Sequence, residues 1–144
     1  MLHQLLLGSA ITLISLTGAS LVWGVLNEVL VRMEPWLQRS PNPGKSLLVV
    51  FMAVIATMTM MTLGVWLWGI IFAQMQVFST LEEAVYYSLV AYTTLGLGDV
   101  VIPQDLRLLG GMTAANGFMM FGLMTAMLTD TLRHIRRVLH NLRD

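Results

Sequence analysis

The sequence predicts an all-α membrane protein built from three transmembrane helices and a fourth, half-length helix that re-enters the membrane with the loop behind it. Three observations carry this. Of 144 residues, 56% are hydrophobic and 11% charged, against about 25% charged in an average soluble domain. The charges are clustered, and the gaps between the clusters are long enough for membrane crossings. One gap is too long for a single crossing and leads into a short helix start followed by a glycine-rich stretch.

The first uncharged run, Leu5 to Asn27, holds 23 residues, or about 35 Å of helix against a hydrocarbon core of about 30 Å. It predicts an N-terminal transmembrane helix over 1–31. No small-residue cleavage site followed by polar sequence accompanies it, so a cleaved signal peptide is not expected. Three of the four prolines and three cations fall between Arg32 and Ser46, which predicts a polar connection over 32–46. The run from Ser46 to Leu81 is 36 residues long, too many for one span of about 20. It predicts an outer helix over 47–73, with Trp66 and Trp68 as interfacial anchors, then a break at Gln74-Met75-Gln76.

Thr80-Leu81-Glu82-Glu83 has the form of a capping box, in which Thr80 accepts from the Glu83 amide and Glu83 reaches back. A helix over 80–92 is only about 18 Å long, half a membrane, with two carboxylates where its dipole favours anions. Residues 93–99 follow, and Gly96 and Gly98 free the backbone from helical geometry. Irregular backbone at membrane depth must be buried in protein or line water. The last uncharged run, Leu108 to Thr129, predicts an inner helix over 106–130, so 47–130 form one pore domain. A basic amphipathic tail occupies 131–144, with Leu132, Ile135, Val138, Leu139 and Leu142 opposite Arg133, Arg136, Arg137 and His140. Either it lies on anionic headgroups or extends the helix bundle, or it is a solvated end.

Eight Lys and Arg balance eight Asp and Glu, which excludes the basic surface that nucleic-acid binding needs. Without cysteine there is no disulfide, thiolate metal site or cysteine nucleophile. Seven of the eight cations fall in the first connection and the tail. Those segments are therefore cytoplasmic, the N-terminus is outside, and the re-entrant loop enters from outside. No helix carries arginine at every third position, so no voltage sensor is expected.

A cation leaving water needs replacement oxygens, and successive backbone carbonyls supply them when side chains point away from the axis. Thr94-Leu95-Gly96-Leu97-Gly98 suits this, with the Thr94 hydroxyl as a further oxygen. One loop cannot encircle an ion, so a pore from this chain must be a homo-oligomer.

These residues resemble the pore module of the potassium channel family, whose filter reads Thr-Val-Gly-Tyr-Gly-Asp and here reads Thr94-Leu95-Gly96-Leu97-Gly98-Asp99. The resemblance covers 80–128. Arg107 stands where family members commonly begin the inner helix, Gly117 matches the hinge glycine, and Phe121-Gly122-Leu123-Met124-Thr125-Ala126 looks like the segment below it. It implies a homotetramer in the lipid bilayer, K⁺ as permeant ion at the filter carbonyls, Asp99 at the outer mouth, Phe118, Phe121 and Thr125 lining the cavity, and Gly117 as gating hinge. No catalytic residue and no cofactor are implied, so the chain is expected to be no enzyme. A prokaryotic plasma membrane suits so minimal a channel, to which the first span is an addition. Leu97 replaces the filter tyrosine and has no donor, so the filter relies on packing against Tyr86, Tyr87 and their neighbours; a less selective monovalent cation channel is the alternative. Val90 excludes a buried carboxylate pair behind the filter.

Gly96-Leu97-Gly98-Asp99 also resembles the Gly-x-Gly-Asp motif of intramembrane aspartyl proteases. That chemistry needs two carboxylates sharing a proton, and no Asp precedes Asp99. Pro43-Gly44-Lys45-Ser46 ends like a phosphate-binding loop but lacks its leading glycine. The methionines, Met58, Met60 and Met61 among them, are scattered rather than converging, as packing residues rather than Cu(I) ligands are. Asn116 lies about 200° from Phe118 on a helix, which predicts that it faces protein and is satisfied by a neighbouring helix. Ser20-x-x-x-Gly24 is a small-residue spacing compatible with close helix contact.

Overall fold

A computed structural model describes residues 1–38 and 43–140. In chain order the elements are α1 (Leu2–Gln38), α2 (Pro43–Gln74), α3 (Leu81–Tyr92), a one-turn 3₁₀ segment (Gln104–Leu106) and α4 (Arg107–His140), with no strand among the described residues. Three helices are long and apolar enough to cross a membrane, over Leu2–Trp36, Gly44–Gln74 and Gln104–Arg137. The chain forms two compact units: Met1–Gly18 with Met61–Phe121, and Ala19–Met60 with the chain from Gly122 onward.

In the second unit, Leu26 and Leu30 of α1, Val49 and Ala53 of α2 and Ile135 of α4 form a buried cluster, flanked by Trp23, Val50 and Leu128. Lipid tails are as apolar as these side chains, so close packing rather than transfer from water holds such a cluster together. The helices outrun the sequence expectation here. Instead of giving way to a connection at 32, α1 continues through Pro35 to Gln38. Lys45 Nζ donates to the Trp36 carbonyl at 2.8 Å and lies 4.5 Å from the Trp36 ring centroid, a cation at the helix end whose carbonyls lack partners. Pro43 opens α2, where its fixed φ fits and its missing N–H costs nothing. Arg39 lies outside the described residues.

Likewise α4 does not end near 130 but runs on to His140. Thr131 and Ile135 are buried, so the first half of the tail is the end of α4, packed within its own unit. The side chains of Val138, Leu139 and His140, and all of Leu142 and Arg143, lie outside the described residues.

In the first unit α2 and α3 meet through aromatic rings. Phe72 lies 5.6 Å from Trp68 and 5.5 Å from Tyr87, and Tyr87 lies 5.0 Å from Phe78, within the range where tilted and edge-on pairs attract. Trp68 is fully buried here, so of the two expected interfacial anchors only Trp66, 44% exposed, is free to act as one. α2 ends in a paired reverse bond: Gln76 N–H donates to Ala73 O at 3.0 Å and Val77 N–H to Phe72 O at 3.1 Å, with Gln76 at φ 54. This is the Schellman stop, usually made by glycine.

Candidate functional site

The site grows from the start of α3. Thr80 Oγ1 accepts from the Glu83 amide at 3.1 Å, as the capping box requires. Glu83 reaches one residue further than expected and accepts from the Ser79 amide at 3.0 Å, so two otherwise unpartnered donors are satisfied.

The other end of α3 shapes the loop. Thr93 N–H donates to Leu89 O at 3.0 Å, Thr94 N–H to Ala91 O at 2.9 Å, and Leu95 N–H to Val90 O at 3.0 Å, with Gly96 N–H also reaching Val90 O at 3.3 Å. This is a second Schellman stop, and Thr94 occupies its left-handed position with φ 59. A β-branched residue there is strained by roughly 1–3 kcal/mol. In the sequence the glycines mark positive φ and Thr94 does not; the signal for Thr94 is that α3 ends before the first glycine is reached. The fourth terminal carbonyl, Tyr92 O, faces the α-carbon of Gly117 on α4, a contact of the weak Cα–H···O kind.

Beyond Thr94 the backbone alternates. Gly96 has φ 60 and Gly98 φ 79, while Leu95 and Leu97 between them stay at negative φ. Residues of alternating hand turn successive peptide groups toward one side, the arrangement that gathers like backbone dipoles. Thr94 through Asp99 are all exposed, with Leu95 at 64% and Leu97 at 59%. A cleft of about 340 Å³ backs the loop, lined by Tyr87, Val90, Ala91, Val101, Ile102 and Ala114 among others.

The tyrosines expected behind Leu97 have other partners. Tyr87 belongs to the aromatic cluster, and the Tyr86 hydroxyl donates to Asp99 Oδ2 at 2.5 Å. That bond holds the Asp99 carboxyl below its usual range, helped by the amides of Asp99 and Val100 and opposed by partial desolvation. From the sequence Tyr86 is expected only as a packing residue. Its spacing of thirteen from Asp99 becomes a contact only once the loop doubles back along α3.

On α4, Phe118 and Phe121 are 73% and 41% exposed, while Leu109, Thr113, Asn116, Met120 and Met124 form the buried stripe. Thr125, also exposed, belongs to the second unit. Gly117 acts in the structure as a point of close approach, since a Cβ there would meet the Tyr92 backbone. Asn116 is fully buried, as expected, but neither of its side-chain polar atoms has a hydrogen-bond partner, where the sequence predicts one from a neighbouring helix. No group of three or more His, Asp or Glu that could hold a metal occurs among the described residues.

Three membrane-length helices joined through such a loop define an integral membrane protein of channel type. A family model described as ion channel matches residues 47–134, more than half of the chain, and the chain belongs to that family. No curated protein and no solved structure matches it at a significant level.

Proposed function

We propose that four copies of the chain surround a central axis and pass K⁺ through a ring of backbone carbonyls from Thr94 to Gly98. The observation that carries this is the alternation of φ along the loop, positive at Thr94, Gly96 and Gly98, which suits consecutive carbonyls to one ion path. The exposure of Thr94 through Asp99 supports it, because a loop left open in one chain is free to face the same loop of other copies. In this reading Asp99 is the outer-mouth anion, Phe118, Phe121 and Thr125 line the inner cavity, no cofactor takes part, and the chain catalyses no reaction. The N-terminus is outside and the C-terminus cytoplasmic, in a prokaryotic plasma membrane.

Purified protein in liposomes, with ion flux measured under K⁺ and Na⁺ gradients, is expected to pass K⁺ in preference to Na⁺ and to run as a tetramer. Equal passage of both ions identifies the less selective channel, and passage of neither overturns the channel reading.

Asp99 supplies a second test. Its folded-state pKa is depressed, so the Tyr86 tie is fully present above the ordinary carboxyl value of 3.8 and is lost only as pH falls through the lower folded value. Cation conductance at low salt is expected to stay level from neutral pH down to about 5 and to fall below that ordinary value. Tyr86→Phe moves the fall to higher pH. Asp99→Asn lowers conductance at neutral pH, severalfold at about 10 mM salt and little at about 1 M, where the screening length is only about 3 Å, and the difference from wild type closes as Asp99 protonates. Conductance of Asp99→Asn equal to wild type at low salt removes Asp99 from the ion path.

A further inference from the structure

Tyr92 closes α3 two positions before Thr94 and is fully buried. Two helices grip it: Gly64 of α2 faces its hydroxyl end and Gly117 of α4 faces its carbonyl. The hydroxyl itself has no hydrogen-bond partner of standard geometry, a costly state in an apolar interior. The polar group beside it is the Ser15 hydroxyl of α1, which is also buried and also without a partner of standard geometry.

Ser15 differs from other hydroxyls on these helices. Thr12, Ser88, Thr113 and Thr131 each donate to the carbonyl four residues back, at 2.8, 2.7, 3.1 and 3.0 Å, the usual resort of a hydroxyl on a buried helix. Ser15 makes no such bond, so its proton is available to a group on another helix. The register of the helices agrees with this placement in level. The Gln4 side-chain amide donates to the Asp105 carbonyl, and Gly8 abuts the Met112 side chain, so α1 and α4 advance in the same direction. Seven residues beyond Gly8, about 10 Å of helix, bring Ser15 level with the part of α4 where Gly117 meets Tyr92.

We propose that Ser15 is a positioning residue of the ion path: through the Ser15 and Tyr92 hydroxyl pair, the first helix holds the end of α3 from which the Thr94 to Gly98 loop is hung. The inference rests on the reading of that loop as a K⁺ filter. The carbonyls of Val90 and Ala91 carry the amides of Leu95, Gly96 and Thr94, so a tilt of the last turn at Tyr92 displaces the first loop carbonyls directly. Residues 1–46 lie outside the stretch matched by the ion-channel family, and Ser15 therefore acts on that stretch from an added element.

The test compares full-length wild type, Ser15→Ala, Ser15→Thr, Tyr92→Phe and the Ser15→Ala/Tyr92→Phe double variant in liposomes. Each is read by the K⁺ to Na⁺ permeability ratio from bi-ionic reversal potentials and by the yield of assembled protein. Ser15→Ala and Tyr92→Phe are each expected to lower the ratio about two- to tenfold, the span one hydrogen bond sets. The double variant falls no further than either single, and Ser15→Thr, which keeps the hydroxyl, stays at the wild-type ratio. A purely structural contact moves the yield and leaves the ratio alone. Should Ser15→Ala fail to assemble, Tyr92→Phe decides by the same ratio. A selective wild type with an unchanged ratio in Ser15→Ala or Tyr92→Phe overturns this inference alone, as do losses that multiply in the double variant. A wild type that conducts nothing, or without preference, overturns the filter reading and this inference with it.

Discussion

Gly96→Ala and Gly98→Ala are each expected to abolish K⁺ flux while the chain still inserts into the membrane. Their φ values of 60 and 79 lie in the left-handed region, where an L side chain costs about 1–2 kcal/mol per residue. Nothing within 4 Å obstructs a Cβ at either position, so the penalty is conformational and not steric. In the proposed ring of four copies it amounts to about 4–8 kcal/mol, enough to drive the loop out of the alternating geometry. Gly18→Ala is the matched control, since that glycine is helical with equally open surroundings, and alanine favours a helix over glycine by about 1 kcal/mol. The measurement is flux in reconstituted liposomes at equal protein load. Wild-type K⁺ flux in both filter variants counts decisively against a carbonyl pathway.

Gly117→Ala is expected to cost the folded protein itself. Its Cβ would fall on the Tyr92 carbonyl, so two backbones rather than two side chains must yield. Overpacking usually costs about 1–3 kcal/mol and relief by a rotamer change is the usual escape; main chain on main chain has none. Extracted protein should fall severalfold in yield, and its thermal midpoint should drop by several degrees or more. A hinge role alone predicts the opposite, a normally stable protein with altered opening. Wild-type yield and midpoint for Gly117→Ala would falsify the close-approach reading.

Much of this architecture was legible in the sequence for a physical reason: charge is expensive in a bilayer, so uncharged runs mark the spans and the surplus in the middle run announces an extra element. The start of α3 was legible too, because Thr80 and Glu83 act locally. What the sequence hid were contacts between segments far apart in the chain. Nothing local at Tyr86 reports that Asp99 folds back to its hydroxyl. Nothing at Trp68 says that it turns inward onto Phe72 rather than out to the headgroups. Helix ends differ from the sequence expectation at the prolines: Pro43 takes the first position of α2, where a helix tolerates it best, while Pro35 lies inside α1 three residues before its end and leaves one i→i−4 bond unmade. At the loop, chemistry was legible and conformation only in part, since glycines advertise positive φ and Thr94 does not.

The Schellman stop at Thr94 has a consequence for how the loop opens. The amides of Leu95 and Gly96 are bonded to Val90, inside α3, so the first half of an exposed loop belongs to the cooperative unit of the helix before it. These amides are released to solvent only when the last turn of α3 opens, and their exchange with water follows the opening free energy of that turn rather than the exposure of their own side chains. The capped start at Thr80 and the bonded end at Val90 belong to that same cooperative helix. The bend at the start of the loop is therefore set by bonds within a single chain.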